Sequence, residues 1–397
     1  MPGRLTEETF AAADARLSEV DARVAARYPG EPAGRQPVHT VYVPAHRYGP
    51  SLLTDWGKQA SEIFAERGDE LGLDPGIVSR VRRKLAEEPI EDLRIDFEDG
   101  YGRPGDEAED TMAVACGRAL ASAVRPPFAG IRFKSFEQAT RRRGIRTLDL
   151  FLGALLEDGS LPDGFVVTLP KVTAVEQVSV AVDVLAALEQ VYDLVEGALR
   201  FEVQVETPQS IVDASGTVAV PLIIEAAQGR CSGLHYGTYD YSAGLGIAAE
   251  YQSMDHPAAD FAKALMQVGA AGTGVRLSDG STNRLPVGGA VLEGWREHLR
   301  LVRRSLERGF YQGWDLHPHQ LPTRFAATYT FFRDGLPAAA ERLHDYAAEA
   351  ETGVLDEPAT AQALATFLCR GLDCGALDEG EMPMERERLD AYARRAG

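Results

Sequence analysis

Residues 92–99 read Asp-Leu-Arg-Ile-Asp-Phe-Glu-Asp, so that apolar and charged side chains alternate along the stretch. A period of two is typical of a β-strand, because successive side chains of a strand point to opposite faces. One face would carry Leu93, Ile95 and Phe97, and the other face would carry only charged residues. We therefore predict a strand with one apolar and one charged face.

The same alternation recurs in residues 130–136 and 201–206. Between the β-rich runs of the chain lie longer stretches that are patterned for helix, without hairpin signals. Eight β-rich runs are found, at residues 38–45, 92–99, 130–136, 165–172, 199–206, 232–240, 274–279 and 314–319. Eight βα units predict an α/β fold, namely a (β/α)8 TIM barrel with a closed parallel sheet. A doubly wound open sheet is the competing fold.

The charged strand faces need compensation if the fold is a barrel. The apolar faces would pack on the surrounding helices, so the charged faces must look into the interior. Burying an unpaired charge is costly, but neighbouring acidic and basic side chains can satisfy one another. We interpret four inward residues as a structural ion-pair network: Arg94, Asp96, Lys134 and Glu202.

Composition and net charge argue against some classes of binding partner. The chain has 397 residues, 45% apolar and 25% charged, as in an ordinary globular protein. Its formal net charge of −19 disfavours binding to nucleic acid and to anionic membranes. The sequence lacks an apolar run of membrane-spanning length, and Glu7 and Glu8 lie where a signal peptide would need an apolar core. We expect a cytoplasmic protein that acts on small molecules.

Helical patterns flank the predicted barrel on both sides. Residues 1–35 are predicted to form an N-terminal helical arm, and residues 36–321 to form the barrel. Residues 322–397 are strongly helical and charged, which is typical of a cap or an interface region.

Acidic residues gather where the predicted strands end, which is the end where barrel enzymes keep their active sites. These residues are Glu98, Asp99, Glu206, Asp240 and Asp279. Two carboxylates about 4 Å apart repel by roughly 4 kcal/mol at an effective dielectric of about 20, and a bound cation would remove that cost. Oxygen ligands without a Cys-His cluster favour Mg²⁺ or Mn²⁺. A protonated carboxyl group, or side chains that point apart, would also relieve the repulsion.

Six short motifs, in this order, resemble those of the citrate lyase beta subunit and malyl-CoA lyase (HpcH/HpaI aldolase) family. They are Asp96-Phe97-Glu98-Asp99, Ile131-Arg132-Phe133, Leu169-Pro170-Lys171-Val172, Val205-Glu206-Thr207, Gly237-Thr238-Tyr239-Asp240 and His317-Pro318-His319-Gln320. The resemblance covers residues 38–321. It implies a Mg²⁺-dependent TIM barrel of the phosphoenolpyruvate/pyruvate-like type that cleaves or forms a carbon–carbon bond through an enolate. Gly100-Tyr101-Gly102 departs from the family pattern, so the chain resembles a divergent member.

The resemblance also implies roles for individual residues. Glu206 and Asp240 match the two carboxylates that bind Mg²⁺, for which Mn²⁺ could substitute. Arg132 matches the arginine that grips a substrate carboxylate or carbonyl oxygen. Glu98 and Asp99 match an acidic pair near the metal, and we predict that they take part in catalysis.

Three further residues complete the predicted site. Lys171 and Tyr239 are candidates for substrate binding, although Lys171 could instead simply pair with an acid. Asp356 lies in a segment that resembles the one with which the family places an aspartate over a neighbouring subunit's site. That segment is one residue shorter here and lacks the family's first aspartate. A shared site implies a homo-oligomer, either a trimer or a hexamer.

The sequence thus predicts a metal-dependent carbon–carbon lyase or aldolase. Its substrate would be a 2-oxo or hydroxy acid, or an acyl thioester. The acid/base could be Asp356, a metal-bound water or a carboxyl group of the Glu98/Asp99 pair. The alternative is a catalytically silent metal-binding barrel that serves as a binding or assembly protein.

Overall fold

Eight parallel β-strands surround the centre of the molecule in a computed structural model that describes residues 3–32, 34–157, 159–352 and 358–394. The strands are β1 (His39–Pro44), β2 (Asp92–Asp96), β3 (Phe128–Arg132), β4 (Phe165–Leu169), β5 (Arg200–Val205), β6 (Cys231–Tyr236), β7 (Arg276–Ser278) and β8 (Gly313–Asp315). They pair in the order β7-β6-β5-β4-β3-β2-β1-β8, and a bridge between Ser278 and Gln312 joins the two ends. The predicted TIM barrel is confirmed.

Helices alternate with the strands and continue beyond the last one, so the predicted helical C-terminal extension is also confirmed. The helices are α1 (Glu7–Arg27), α2 (Leu52–Arg67), α3 (Pro75–Glu87), α4 (Asp106–Ser122), α5 (Arg141–Leu155), α6 (Val175–Val191), α7 (Ala219–Ala226), α8 (Thr238–Gly244), α9 (Pro257–Ala270), α10 (Val291–Glu307), α11 (Leu321–Thr352), α12 (Pro358–Asp373) and α13 (Arg386–Arg394). Within the described ranges, no helix combines the length and the apolar character needed to cross a bilayer.

The apolar strand faces pack outward against the helices, as the alternation predicts. Ile95 of β2 and Phe97 are fully buried, and the Phe97 ring packs edge-on against Phe151 of α5. Burial of such a side chain stabilises the fold by about 1.5–3 kcal/mol. In a second core, Phe332 of α11 packs with residues of α2 and α3. The C-terminal extension is therefore part of the apolar packing around the barrel.

The charged strand faces meet inside the barrel and pair with one another. Nη2 of Arg94 lies 2.8 Å from Oε2 of Glu202, and Arg94 also pairs with Asp92. Glu202 accepts a hydrogen bond from the Thr168 hydroxyl at 2.6 Å, and its Oε2 lies 3.1 Å from Nε2 of His235. All of these side chains are buried. The charges of Arg94 and Glu202 are thus compensated, as a structural network requires. The other two predicted members pair elsewhere, Asp96 with Arg132 and Lys134 with Glu109 of α4.

Several strands end earlier than the sequence predicts. β2 ends at Asp96 rather than at residue 99, because the Asp96 carboxylate accepts hydrogen bonds from the backbone N–H groups of Glu98 and Gly100. β6 ends at Tyr236 rather than at residue 240, and α8 begins at Thr238. Asp240 therefore lies in the first turn of a short helix and not on a strand.

Candidate active site

Six of the predicted site residues converge at the carboxyl end of the barrel, because the ends of parallel strands share one rim. Glu98 and Asp99 follow β2, while the other four come from four successive strand ends. Arg132 ends β3, Lys171 follows β4, Glu206 follows β5 and Asp240 lies in α8 after β6.

The Lys171 ammonium group lies among three of these carboxylates. Its Nζ is 2.7 Å from Oδ2 of Asp99, 3.0 Å from Oε1 of Glu98 and 3.4 Å from Oδ2 of Asp240. Burial alone would lower the pKa of Lys171, but the charges of Glu206, Glu98 and Asp99 raise it above its ordinary value. The ammonium is therefore charged at neutral pH and compensates the acidic cluster.

The backbone of Lys171 positions a fourth carboxylate. Lys171 has a φ of +50°, in the left-handed region that residues other than glycine rarely adopt. Such a conformation costs on the order of 1 kcal/mol and persists only where the surroundings impose it. Here the Lys171 N–H donates to Oε1 of Glu206 at 2.7 Å. The turn after β4 thus fixes Glu206 and directs Nζ to the other acids.

Arg132 is held by a paired interaction with Asp96. Nε and Nη2 of Arg132 donate to the two carboxylate oxygens at 2.7 and 2.8 Å. In the amide orientation that satisfies both of its neighbours, Gln204 accepts from Nη1 of Arg132 at 3.1 Å and donates to Oε1 of Glu206 at 3.2 Å. These contacts use three of the five N–H groups of the guanidinium. The Arg132 guanidinium is therefore rigidly oriented, and it retains N–H groups that can donate hydrogen bonds to a ligand.

Burial raises the pKa of two acidic residues of the site. Burial raises the pKa of Glu98 to about 7, against the opposing effect of Arg132. It also raises the pKa of Glu206 to about 7, against Lys171 and Arg132, and the nearby charge of Asp240 adds to the increase. Both groups can therefore take up or release a proton near neutral pH.

Gly237 makes room for Glu206 between β5 and β6. A Cβ atom on Gly237 would lie 2.3 Å from Cβ of Glu206 and 2.8 Å from its Oε2. A larger residue at this position would therefore displace the carboxylate. This close approach explains why glycine is needed between β6 and the helix that carries Asp240.

The donor set at the rim is compatible with a small hard cation. Among the described residues, no group of three or more His, Cys, Asp or Glu side chains is arranged to hold a metal ion. Mg²⁺, however, is usually held by only one or two carboxylates, with water and substrate oxygens as its remaining ligands. Glu206 and Asp240 supply two carboxylates whose charges interact. The residues therefore fit Mg²⁺ or Mn²⁺.

Sequence comparison assigns the chain to a family without assigning it an activity. Residues 17–396 match the profile of a family described as a domain of unknown function, DUF6986. The chain belongs to the DUF6986 family. No match was found among curated proteins.

Solved structures similar to the DUF6986 chain share its barrel fold. A citrate lyase from Burkholderia xenovorans has 17% sequence identity and a TM-score of 0.58, over 90% of this chain and 97% of the other. Malate synthase from Haloferax volcanii, in a lead(II) complex, has 15% identity and a TM-score of 0.52, over 92% of this chain and 100% of the other. At these identities the likeness concerns the fold alone.

Three predicted residues of the DUF6986 chain lie apart from the cluster or outside the described structure. The Tyr239 hydroxyl accepts a hydrogen bond from the Asn283 backbone, in the loop after β7. Asp279 pairs with Lys263 of α9 at 2.9 Å and does not join the other acids. Asp356 falls outside the described residues, so its assignment stays a prediction.

Two residues that contact the site were not predicted as part of it. Gln204 lies between Arg132 and Glu206, and the Arg132 guanidinium lies 4.9 Å from the centre of the Tyr42 ring. Gln204 shares the inward face of β5 with Glu202, so alternation along the strand is the signal that could have found it.

We expect Lys171→Met to make the stability of the protein depend more strongly on a bound cation. Loss of the ammonium leaves the carboxylates uncompensated, so the variant should lose about 1–3 kcal/mol of stability in metal-free buffer. Mg²⁺ should then raise the melting temperature of the variant more than that of the wild type, as thermal unfolding with and without EDTA would measure. Lys58→Met, at an exposed lysine of α2, is the matched control. Equal Mg²⁺ responses in both variants would contradict the assigned role of Lys171.

Proposed function

We propose that this DUF6986 protein is a metal-dependent carbon–carbon lyase or aldolase of the citrate lyase beta subunit-like kind. It would cleave or form a bond beside a carbonyl group of a 2-oxo or hydroxy acid, or of an acyl thioester, through an enolate. The observation that carries the proposal is the rim cluster, in which Glu206 and Asp240 lie near Arg132 and the Glu98/Asp99 pair.

Arg132 is the proposed substrate-binding and enolate-stabilising residue. A planar guanidinium can donate paired hydrogen bonds to a carboxylate, which a lysine cannot do in the same geometry. Asp96 fixes the guanidinium plane, so little reorganisation is needed when negative charge develops on the substrate oxygen. Lys171 at the rim, and Tyr239 next to Asp240 in α8, are the proposed additional substrate contacts.

Glu206 and Asp240 are the proposed ligands of Mg²⁺, or of Mn²⁺ in its place. Bound there, the cation would supply Lewis-acid stabilisation of the substrate oxygens. The Lys171 N–H and the Gln204 amide both donate to Glu206 and hold its carboxylate in position. These two contacts keep its carboxylate ordered on the inner side of the rim.

Proton transfer is assigned to the Glu98/Asp99 pair. Bond cleavage beside a carbonyl requires a base for the substrate hydroxyl group and an acid for the enolate carbon. Glu98 has a pKa of about 7 because it is buried, whereas Lys171 and Glu98 lower the pKa of Asp99 despite its partial burial. Glu98 is therefore the better proton carrier at neutral pH. Asp356 of a second subunit, in a trimer or hexamer, is the competing assignment.

A panel assay tests the proposal directly. The full chain would be incubated with Mg²⁺ and with malyl-, citramalyl- and citryl-thioesters, and in parallel with free 2-oxo acids. Products would be identified by mass spectrometry. We expect cleavage of at least one class, loss of cleavage in EDTA, and recovery on adding Mn²⁺. A lack of turnover on every class, with metal shown to be bound, would overturn the lyase proposal.

The same assay separates the second candidate, a catalytically silent barrel that binds a partner or ligand. The observation that favours this candidate is the position of Lys171, whose ammonium already compensates three of the acids. If the barrel is catalytically silent, a ligand should bind but no product should form. If the protein is a lyase, ligand binding and product formation should both be observed.

A further inference from the structure

Helix α1 lies apart from the barrel along almost its whole length. Each of its residues is exposed except Arg27, which is partly buried. Most of the stability of protein helices comes from packing of an amphipathic face rather than from intrinsic helix propensity. A free-standing helix of 21 residues is therefore short of stabilising contacts within one copy of the chain.

The exposed apolar side chains of α1 form a continuous seam. Phe10, Leu17, Val20 and Val24 are 51%, 51%, 37% and 49% exposed. With Ala13, they follow one another at spacings of three, four, three and four residues. This spacing is the heptad pattern of a coiled coil, in which Phe10, Leu17 and Val24 occupy the a positions. The seam therefore fits a second helix with the same period.

The contacts that attach α1 to the barrel lie at its C-terminal end, where Arg27 occupies the d position that follows Val24. Arg27 pairs with Glu225 of α7 at 2.9 Å, and the Gly30 N–H donates to the Gly272 carbonyl at 2.9 Å. Arg23 and Arg27 line the cavity between α1 and the barrel. At 3.6 residues per turn, Arg23 lies roughly 100° and Arg27 roughly 60° around the helix axis from the centre of the seam. The barrel thus anchors the end of α1 without covering its apolar face.

The charged residues beside the seam indicate which helix would pack against it. Asp14 and Asp21 occupy the e positions on one side, and Arg16 and Arg23 occupy the g positions on the other. In a parallel pair of identical helices, a g residue faces the e residue five positions later in the partner helix, so Arg16 would face Asp21. An antiparallel pair would bring arginine to arginine and aspartate to aspartate. The charge pattern is complementary to itself only in the parallel arrangement.

We propose that α1 forms a parallel coiled coil with α1 of a second copy of this chain. The seam residues form the shared apolar core, and two Arg16–Asp21 pairs related by symmetry fix the register and the orientation. With only two complete heptads, the association depends on protein concentration. It does not depend on the metal site.

Sedimentation of the full chain tests the seam. The double variant Leu17→Asp/Val20→Asp places four charges in the core of the pair, and we expect its self-association to weaken by at least about tenfold. Ala15→Asp/Ala22→Asp makes the same charge change on the opposite face and should associate like the wild type. A wild-type chain that stays monomeric at micromolar concentration, or a seam variant that associates as before, would overturn the proposal.

Charge exchange tests the orientation of the helices. Arg16→Asp and Asp21→Arg should each weaken association, because each brings like charges together, and the double variant should restore it. A Phe10→Cys chain should form a disulfide-linked dimer on mild oxidation, because position 10 at one end of the seam lies beside position 10 of the partner helix only in a parallel pair, and Ala15→Cys on the opposite face should not. Failure of the double variant to recover association, or equal cross-linking at both positions, would exclude a parallel pair. Unchanged melting of the barrel in each variant confirms that folding is not the cause.

Discussion

Glu206→Gln and Asp240→Asn are each expected to reduce metal-dependent turnover by about a thousandfold. A bound cation contributes several kcal/mol of transition-state stabilisation, and each 1.4 kcal/mol corresponds to about a factor of ten in rate. Glutamine at position 206 keeps an oxygen that can accept the Lys171 N–H, so the turn after β4 should survive. Removal of one carboxylate from the several that surround a single ammonium costs little stability, because Lys171 keeps Glu98 and Asp99 as partners.

The turnover measurement requires that the variants are folded, and it requires a control substitution at an acidic residue outside the site. Thermal unfolding should show that both variants keep a stability close to that of the wild type. Glu250→Gln removes a charge at an exposed position after α8 and should leave turnover unchanged. If either ligand variant retained near-native rates in Mg²⁺, the assignment of these carboxylates as ligands would be wrong.

Glu202→Gln is expected to destabilise the fold by about 3 kcal/mol, because it removes one partner of a buried ion pair and leaves Arg94 under-compensated. Arg94 is fully buried and has Asp92 as its only other carboxylate partner among the described contacts. Denaturant unfolding at pH 7 would measure the loss. Glu70→Gln, in the exposed pair with Arg67, is the matched control and should leave stability close to that of the wild type.

The effect of Glu202→Gln should also depend on pH. Burial would raise the pKa of Glu202, but Arg94 and His235 hold it well below its ordinary value. A carboxyl group with a lowered pKa stabilises the fold above its unfolded pKa of about 4.3, and this contribution is lost as the pH falls further. Glutamine does not titrate, so the stability difference between wild type and variant should shrink below that pH. A constant difference down to pH 3 would contradict the assigned pairing.

The sequence predicts the barrel well because burial and alternation leave a strong signal in each strand. In β2, the alternation of Leu93, Arg94 and Ile95 indicates both the strand and its inward charges. Strand ends are less predictable, because they depend on single contacts. Asp96 ends β2 by binding the backbone of the next turn, and no periodic pattern contains that information.

The site was predictable to the extent that it follows from strand order. The position of acids at strand ends places Glu98, Glu206 and Asp240 on one rim. Asp279 occupies an equivalent place, but Lys263, from a helix, binds it. The central position of the Lys171 ammonium depends on a left-handed turn, which the sequence alone does not indicate.

Two sequence predictions remain to be tested by other means. The division of the chain at residues 35 and 321 stays a prediction, because the folding of the separate regions has to be measured. The assignment of Asp356 to a neighbouring subunit's site also stays a prediction. The Asp356 assignment requires a homo-oligomer, which sedimentation of the full chain would detect.

The proposed lyase depends on one divalent cation, held by the rim carboxylates beside Arg132. Crystals of the full chain grown with Mn²⁺ would test it through the anomalous scattering of the metal. We predict a single strong peak within about 2.5 Å of oxygens of both Glu206 and Asp240, at a distance usual for metal–carboxylate bonds. A peak elsewhere, or a rim in which Lys171 alone neutralises the acids at saturating Mn²⁺, would contradict the proposed metal site.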